Sequence, residues 1–231
     1  MARTVKKAAE RREEILQTAR QLFYSHGYDA TSVNMIIQQM GISKGAFYHH
    51  FKSKEELLDT LIQRFTDEIM IQLEPIRNDP NLDALEKLNR IFMRSSILKL
   101  ERFDFIVTLI KAIYQSTNYL LRQKLNESSI ASALPLMTEV LTQGKEEGVF
   151  CIEHPAVVAR MLLQFSSVVS GYNGQLLLQL ADNPACIDDV QHHLRFYKIA
   201  VERMLGAPQN SMVAYDDALI EGLVEYYRGT K

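Results

Sequence analysis

The chain has 231 residues, of which 47% are hydrophobic and only six are proline, enough apolar material to fill a sizeable core. Its two cysteines, Cys151 and Cys186, lie far apart and match no metal-ligand spacing, so both are expected to be reduced and structural, and no metal or cofactor is implied. The formal charge of −2 hides an asymmetry: residues 1–54 carry nine Lys/Arg against four Asp/Glu, a net +5, and the remainder carries −7, the pattern of a basic module that meets a polyanion on a body that repels it.

The amino-terminal run MARTVKKAAERREE is charged from its third residue and has no apolar core of a secretory signal, which implies a cytoplasmic location. From Ala8 to His26, Ile15, Leu16, Ala19, Leu22 and Phe23 recur at spacings of three and four, one face of an amphipathic helix that Gly27 stops. Thr31 is the expected cap of a short helix carrying Val33, Ile36, Ile37 and Met40 inward, which ends at Gly41. Ser43 caps a third helix over about Lys44 to His50, and a longer one runs from Lys54 towards Pro75. Two short helices joined by a tight turn form a helix-turn-helix, whose second member can enter the DNA major groove. In that reading Phe47 and Phe51 anchor the second helix inward. Gly45 costs about 1 kcal/mol inside a helix and points to close backbone approach. Tyr48, His50 and Lys54 are donors within reach of phosphate oxygens. The adjacent pairs His49-His50 and His192-His193 point about 100° apart on a helix and cannot readily share an ion.

Beyond Pro80 the elements lengthen. Leu82, Leu85, Leu88 and Phe92 mark a fifth helix, and Phe103 to Gln115 a sixth, with only a narrow polar face. Helices are expected from about Tyr119 to Glu127 and from about Ile130 to Glu147, the latter followed by Gly148. The stretch Ala156 to Leu180 holds too many polar groups for a lipid-facing span and reads as a buried helix opened by Pro155, with no membrane partner. Ile187, Val190, Leu194, Tyr197, Val201 and Met204 follow at spacings of 3, 4, 3, 4 and 3. Together with the small residues Ser166, Ser167, Ser170, Gly171 and Gly174, that stripe suggests a homodimer interface. A last amphipathic helix is expected from about Ser211 to Tyr227. The fold class is therefore all-α.

The run from Ile15 to Leu57, ILQTARQLFYSHGYDATSVNMIIQQMGISKGAFYHHFKSKEEL, resembles the N-terminal domain of the tetracycline-repressor (TetR) family of transcriptional regulators. The likeness is carried by the LF…GY…TS register, Gly41 in the turn, Ser43-Lys44-Gly45, and the ending from Tyr48-His49-His50-Phe51 to Lys54. It implies a three-helix DNA-binding domain over 1–54 and a larger helical domain over 55–231 that binds a small-molecule effector and makes a homodimer through its last two main helices. Carried over by position, Thr31, Tyr48, His50 and Lys54 hold phosphates of double-stranded operator DNA, while Lys44, Gly45, Ala46 and His49 face base edges. Ile37 and Met40 stand where the family has small alanines, and the last helix extends beyond the usual family length. Among the large apolar residues of the body, Phe65, Ile69, Met93, Phe105, Tyr114, Tyr119, Met137, Met161 and Phe165 are candidates to line an apolar ligand cavity.

No Ser/His/Asp or Cys/His set, phosphate loop or zinc motif is recognisable, so the chain reads as no enzyme. Three functions fit: a repressor released from its operator by a ligand, a ligand-independent architectural DNA-binding protein, and a helical interaction module.

Overall fold

The computed structural model describes residues 2–114, 119–179, 182–183 and 185–213. Among the described residues there are nine helices and no strand: α1 Ala2–His26, α2 Val33–Met40, α3 Lys44–His50, α4 Lys54–Arg77, α5 Ala84–Glu101, α6 Phe103–Ile113, α7 Tyr119–Glu146, α8 Pro155–Leu178 and α9 Cys186–Leu205. None of these is long and apolar enough to cross a membrane. The chain divides into two compact units, residues 1–65 with 104–125, and residues 66–103 with 126–231.

The first unit closes on Ile15, Leu16, Ala19, Phe23, Ile36, Phe47, Phe51, Leu57 and Leu58, all nearly or fully buried. Ile37 and Met40 pack against this core half-exposed, so the large residues are accommodated at its margin. Phe105 of α6 joins it, edge-on to Phe65 at 5.5 Å and to Tyr24 at 6.4 Å. In the second unit the core is built from α4, α5, α7, α8 and α9 around Leu88, Leu141, Leu162, Tyr197, Val201 and Leu205. Tyr197 stacks on Phe165, and its hydroxyl pairs with the Ser166 hydroxyl at 2.6 Å.

Three boundaries and the use of one helical face differ from the sequence expectation. The first helix begins at Ala2, because the charged residues before Ala8 are good helix formers even without an apolar face. α2 is capped by Ser32, whose hydroxyl accepts from Met35 N at 3.2 Å, whereas the Thr31 hydroxyl turns back and donates to Gly27 O at 2.7 Å and Leu22 O at 3.2 Å. The two helices expected over 119–127 and 130–147 are one: the polar run Asn126 to Ser129 weakens a helix without stopping it, and the Ser132 hydroxyl is satisfied by Ser128 O. The 3-4 stripe of α9 faces the chain's own core, with Val190, Tyr197 and Val201 almost wholly buried, and so is not itself a free dimer surface. Gln115 and all but the first three residues of the expected last helix lie outside the described residues.

The stretch Gln143 to Phe150 acts as a polar and aromatic latch. Gln143 accepts from Lys87 Nζ at 3.0 Å and donates to Leu82 O, and Glu147 accepts from Ala84 N at 2.8 Å, which ties the end of α7 to the start of α5. Gly148, at φ 73°, reverses the chain so that the amides of Val149 and Phe150 both reach Gly144 O. The buried Phe150 ring then lies on Gly144, in the space that a side chain there would need. Gly144→Ala is expected to lower stability by about 1–3 kcal/mol through this overlap, seen as a lower urea midpoint. Equal midpoints for the two proteins would contradict it.

Candidate nucleic-acid interface

The site begins with two glycine and serine signals. Gly41 ends α2 at φ 61°, a left-handed conformation that costs glycine nothing, and its amide reaches back to Gln38 O. Two residues later Ser43 caps α3, its hydroxyl accepting from Ala46 N at 3.1 Å. The helix between has only seven residues, and it is held from one side by Phe47 and Phe51, 0% and 1% exposed. Their rings lie 6.4 Å apart, and Arg12 of α1 sits 4.4 Å from the centre of the Phe51 ring.

The opposite side of α3 is open. Lys44, Gly45, Tyr48 and His49 are exposed, while Ala46 and His50 are half-buried. The Lys44 ammonium lies 5.9 Å from the Tyr48 ring, and the His49 and His50 rings meet edge-on at 5.1 Å. A side chain added at Gly45 would meet no atom of the chain within 4 Å. The packing of the protein therefore does not require glycine there. A helix-weakening residue on an open face is explained instead by the approach of something outside the chain.

Charge gathers at the same end. Burial, the neighbouring His49 and the guanidinium groups of Arg11 and Arg12 together lower the His50 pKa below its ordinary 6.5, so the ring is neutral at pH 7. Arg11 and Arg12 are additions that spacing in the helix-turn-helix does not reveal; their place beside His50 follows from the packing of α1 across α3.

Of the remaining expected phosphate ligands, one side chain is out of reach and the other has a partner within the chain. Thr31 is fully buried, and its hydroxyl hydrogen is directed to carbonyls at the end of α1, so the exposed hydroxyl of that turn is Ser32. Two adjacent hydroxyl residues announce a cap, but which of them faces solvent depends on the end of the preceding helix. Lys54 is half-buried, its Nζ donating to Tyr28 O at 2.9 Å and lying 4.1 Å from the centre of the Tyr28 ring. The N-terminus of α4 is served by its own residues: Ser53 accepts from Glu56 N, and Glu56 accepts from Lys52 N.

The candidate ligand residues fall in both units. Phe65, Phe105, Tyr114 and Tyr119 belong to the first unit, and Ile69, Met93, Met161 and Phe165 to the second. Phe105 is buried and Phe65, Ile69, Tyr114 and Phe165 are partly so, whereas Met93, Tyr119 and Met161 are exposed. Met137 is a core residue of the second unit.

Comparison with known proteins converges on one family. Residues 15–61 match the model of the bacterial regulatory proteins of the tetR family. The transcriptional repressor KstR2 of Mycolicibacterium smegmatis is 34% identical over 144 residues, which span 62% of each chain and so less than two thirds of that relative's length. KstR2 of Mycobacterium tuberculosis is 33% identical over 150 residues, 65% of this chain and 74% of the relative. Among solved structures, a TetR-family regulator from Pectobacterium atrosepticum superposes with a TM-score of 0.65 at 17% identity, covering 88% of this chain and 98% of the other. SmeT, the repressor of a Stenotrophomonas maltophilia multidrug efflux pump, matches with a TM-score of 0.58 at 23% identity over 89% and 94% of the two chains, and has also been solved with triclosan. At these identities the structures speak for the fold. With the helix-turn-helix geometry, the matched segment and the length shared with its M. tuberculosis relative in agreement, the chain belongs to the TetR family of bacterial regulatory proteins.

Proposed function

We propose that the chain is a homodimeric transcriptional repressor that reads operator DNA through α3 and is released by a small molecule. The observation that carries DNA reading is the open, glycine-bearing face of α3, fixed from behind by Phe47 and Phe51. Lys44, Gly45, Ala46 and His49 face base edges, and Tyr48 and His50 hold phosphates.

A dimer is supported by the surface of the second unit. Val157, Met161, Val168 and Tyr172 of α8 are more than half exposed and recur at spacings of 4, 7 and 4, which places them on one helical face; Phe196 of α9 is 64% exposed. A run of large apolar side chains in water marks a protein interface. A second copy covering it gives two α3 helices related by a two-fold axis, suited to half-sites about 34–36 Å apart or a multiple of one DNA turn.

Release by a ligand is supported by α4. Its Lys54 end borders the helix-turn-helix, while Ile69 and Leu73 pack in the core of the second unit, so a molecule that rearranges that core acts on a helix shared with the DNA-binding end. SmeT, of the same fold, accepts triclosan, which makes an apolar effector a reasonable first class to screen.

Three outcomes test this reading. Phe196→Asp should convert a dimer to monomers in sedimentation and remove footprints on DNA selected by the unaltered protein; an intact dimer would reject the α8–α9 surface. A phosphate beside His50 raises the pKa that the free protein lowers, so the complex binds more protons than its parts and DNA affinity should rise as pH falls from about 8 to about 6. His50→Gln should flatten that dependence; an unchanged slope would remove His50 from the phosphate contacts. An effector found by thermal shift should bind about 5–150-fold more weakly in calorimetry when the selected DNA is present. Equal affinities would reject release while leaving DNA reading intact.

A further inference from the structure

The chain beyond α9 is held by side chains that serve no other element. After α9 stops at Gly206, whose φ is 61°, a turn in which Ser211 N donates to Pro208 O at 3.2 Å reverses the backbone. Asn89 of α5 then grips both sides of Met212: its Nδ2 donates to Ser211 O at 2.9 Å, and its Oδ1 accepts from Val213 N at 2.7 Å. Met212 N donates to Glu202 Oε1 at 3.0 Å, and the Met212 side chain is wholly buried in the core of the second unit. Met212 thus lies against a residue about one turn before the end of α9, so the chain is travelling back along that helix, towards its lower numbers.

What lies ahead of Val213 on that course is an uncovered apolar face. On α5, Met93 and Ile97 follow Asn89 at spacings of four, about 6 and 12 Å further along the helix, and they are 38% and 36% exposed. Phe92 meets Tyr197 edge-on at 6.1 Å, while Asn89 and Glu202 both bond the tail, so α5 and α9 run antiparallel here. On α9, Lys198 and Arg195 continue the face of Glu202 at spacings of four and three. Residues 214–231 lie outside the described residues, but their sequence matches this track. Leu219, Ile220, Leu223, Val224 and Tyr227 fall on one helical face, and Asp217, Glu221 and Glu225 form an acidic row beside it.

We propose that residues 215–227 are a helical strap that docks on the Met93–Ile97 face of α5 of the same chain, with its acidic row towards Lys198 and Arg195. The chain's own segment is the occupant because its entry point is fixed at Asn89, one and two helical turns from the two residues it covers. Such a short tether holds the segment at an effective concentration in the millimolar range, which a second copy in dilute solution does not reach. Apolar burial supplies the attraction, and the opposite charges set which way round the strap lies. The strap requires neither DNA nor an effector.

Two measurements on the full chain test it. The first pairs Ile97→Cys with Ile220→Cys in a chain that also carries Cys151→Ser; the remaining native thiol, Cys186, is buried. A short bismaleimide should join the two introduced thiols within one chain in most molecules, as read by peptide mass. A cross-link between two chains, seen at twice the mass on a denaturing gel, would make the segment an arm exchanged with a second copy and overturn the proposal, as would the absence of any cross-link. The second measurement needs no thiols. Ile97→Glu places a charge under the strap and should lower the melting temperature by several degrees, but it should change little in a chain ended after Val213, where position 97 faces water. Equal shifts in the full and shortened chains would show that the segment does not cover Ile97, and would overturn the proposal even where the thiol variant fails to fold.

Discussion

The burial of Phe47 and Phe51 is the constraint on which the DNA-binding end depends. A seven-residue helix is too short to persist by its own hydrogen bonds, so α3 exists because these two rings, one turn apart, are anchored in the core of the first unit. Truncating a buried phenylalanine typically costs about 3–5 kcal/mol, several times the worth of the Ser43 cap. Once that side is committed inward, helical geometry leaves Lys44, Gly45, Tyr48 and His49 no choice but to face outward. The open face of α3 is thus a consequence of what is hidden behind it.

The same economy of elements explains why α4 matters. Its first turns bury Leu57, Leu58, Leu61 and Ile62 in the first unit, and its last turns bury Leu73 in the second, with the division between units falling at Phe65 within the helix. The first unit also recruits α6, through Phe105 and Ala112, and the start of α7 through Leu125. Residues far apart in sequence therefore share a core with the helix-turn-helix, a grouping that no local pattern in residues 1–54 could announce.

What was legible in the sequence was whatever is decided locally. Gly41, Ser43 and the apolar positions Ile15, Leu16, Ala19 and Phe23 declared their roles because a turn, a cap and a buried face each follow from residues within one or two turns. The choice between Thr31 and Ser32 was not local: it depended on the carbonyls of Leu22 and Gly27 ending α1 within reach of one hydroxyl. The bond from Lys54 to Tyr28 O was hidden for a related reason, since nothing local in a basic segment marks a lysine that reaches back 26 residues. The break expected near Asn126 reflected composition, and packing of the flanking Leu125 and Ile130 outweighs the weak helix preference of four polar residues.

The last difference concerns periodicity itself. The 3-4 repeat from Ile187 to Met204 correctly gave α9 an apolar face, yet a repeat records only that a face is covered and is silent on which chain covers it. Tyr197 and Val201 are used within the protomer, whereas Phe196, beside Tyr197 and about 100° around the helix, points to water. A surface helix that served only its own chain would place polar residues at such positions. Together with Val168 and Tyr172 of α8, Phe196 is thus a large apolar residue that the core of its own unit leaves exposed. An exposed surface of this kind is marked less by the regular stripe of a helix than by the large apolar residues that the stripe leaves out.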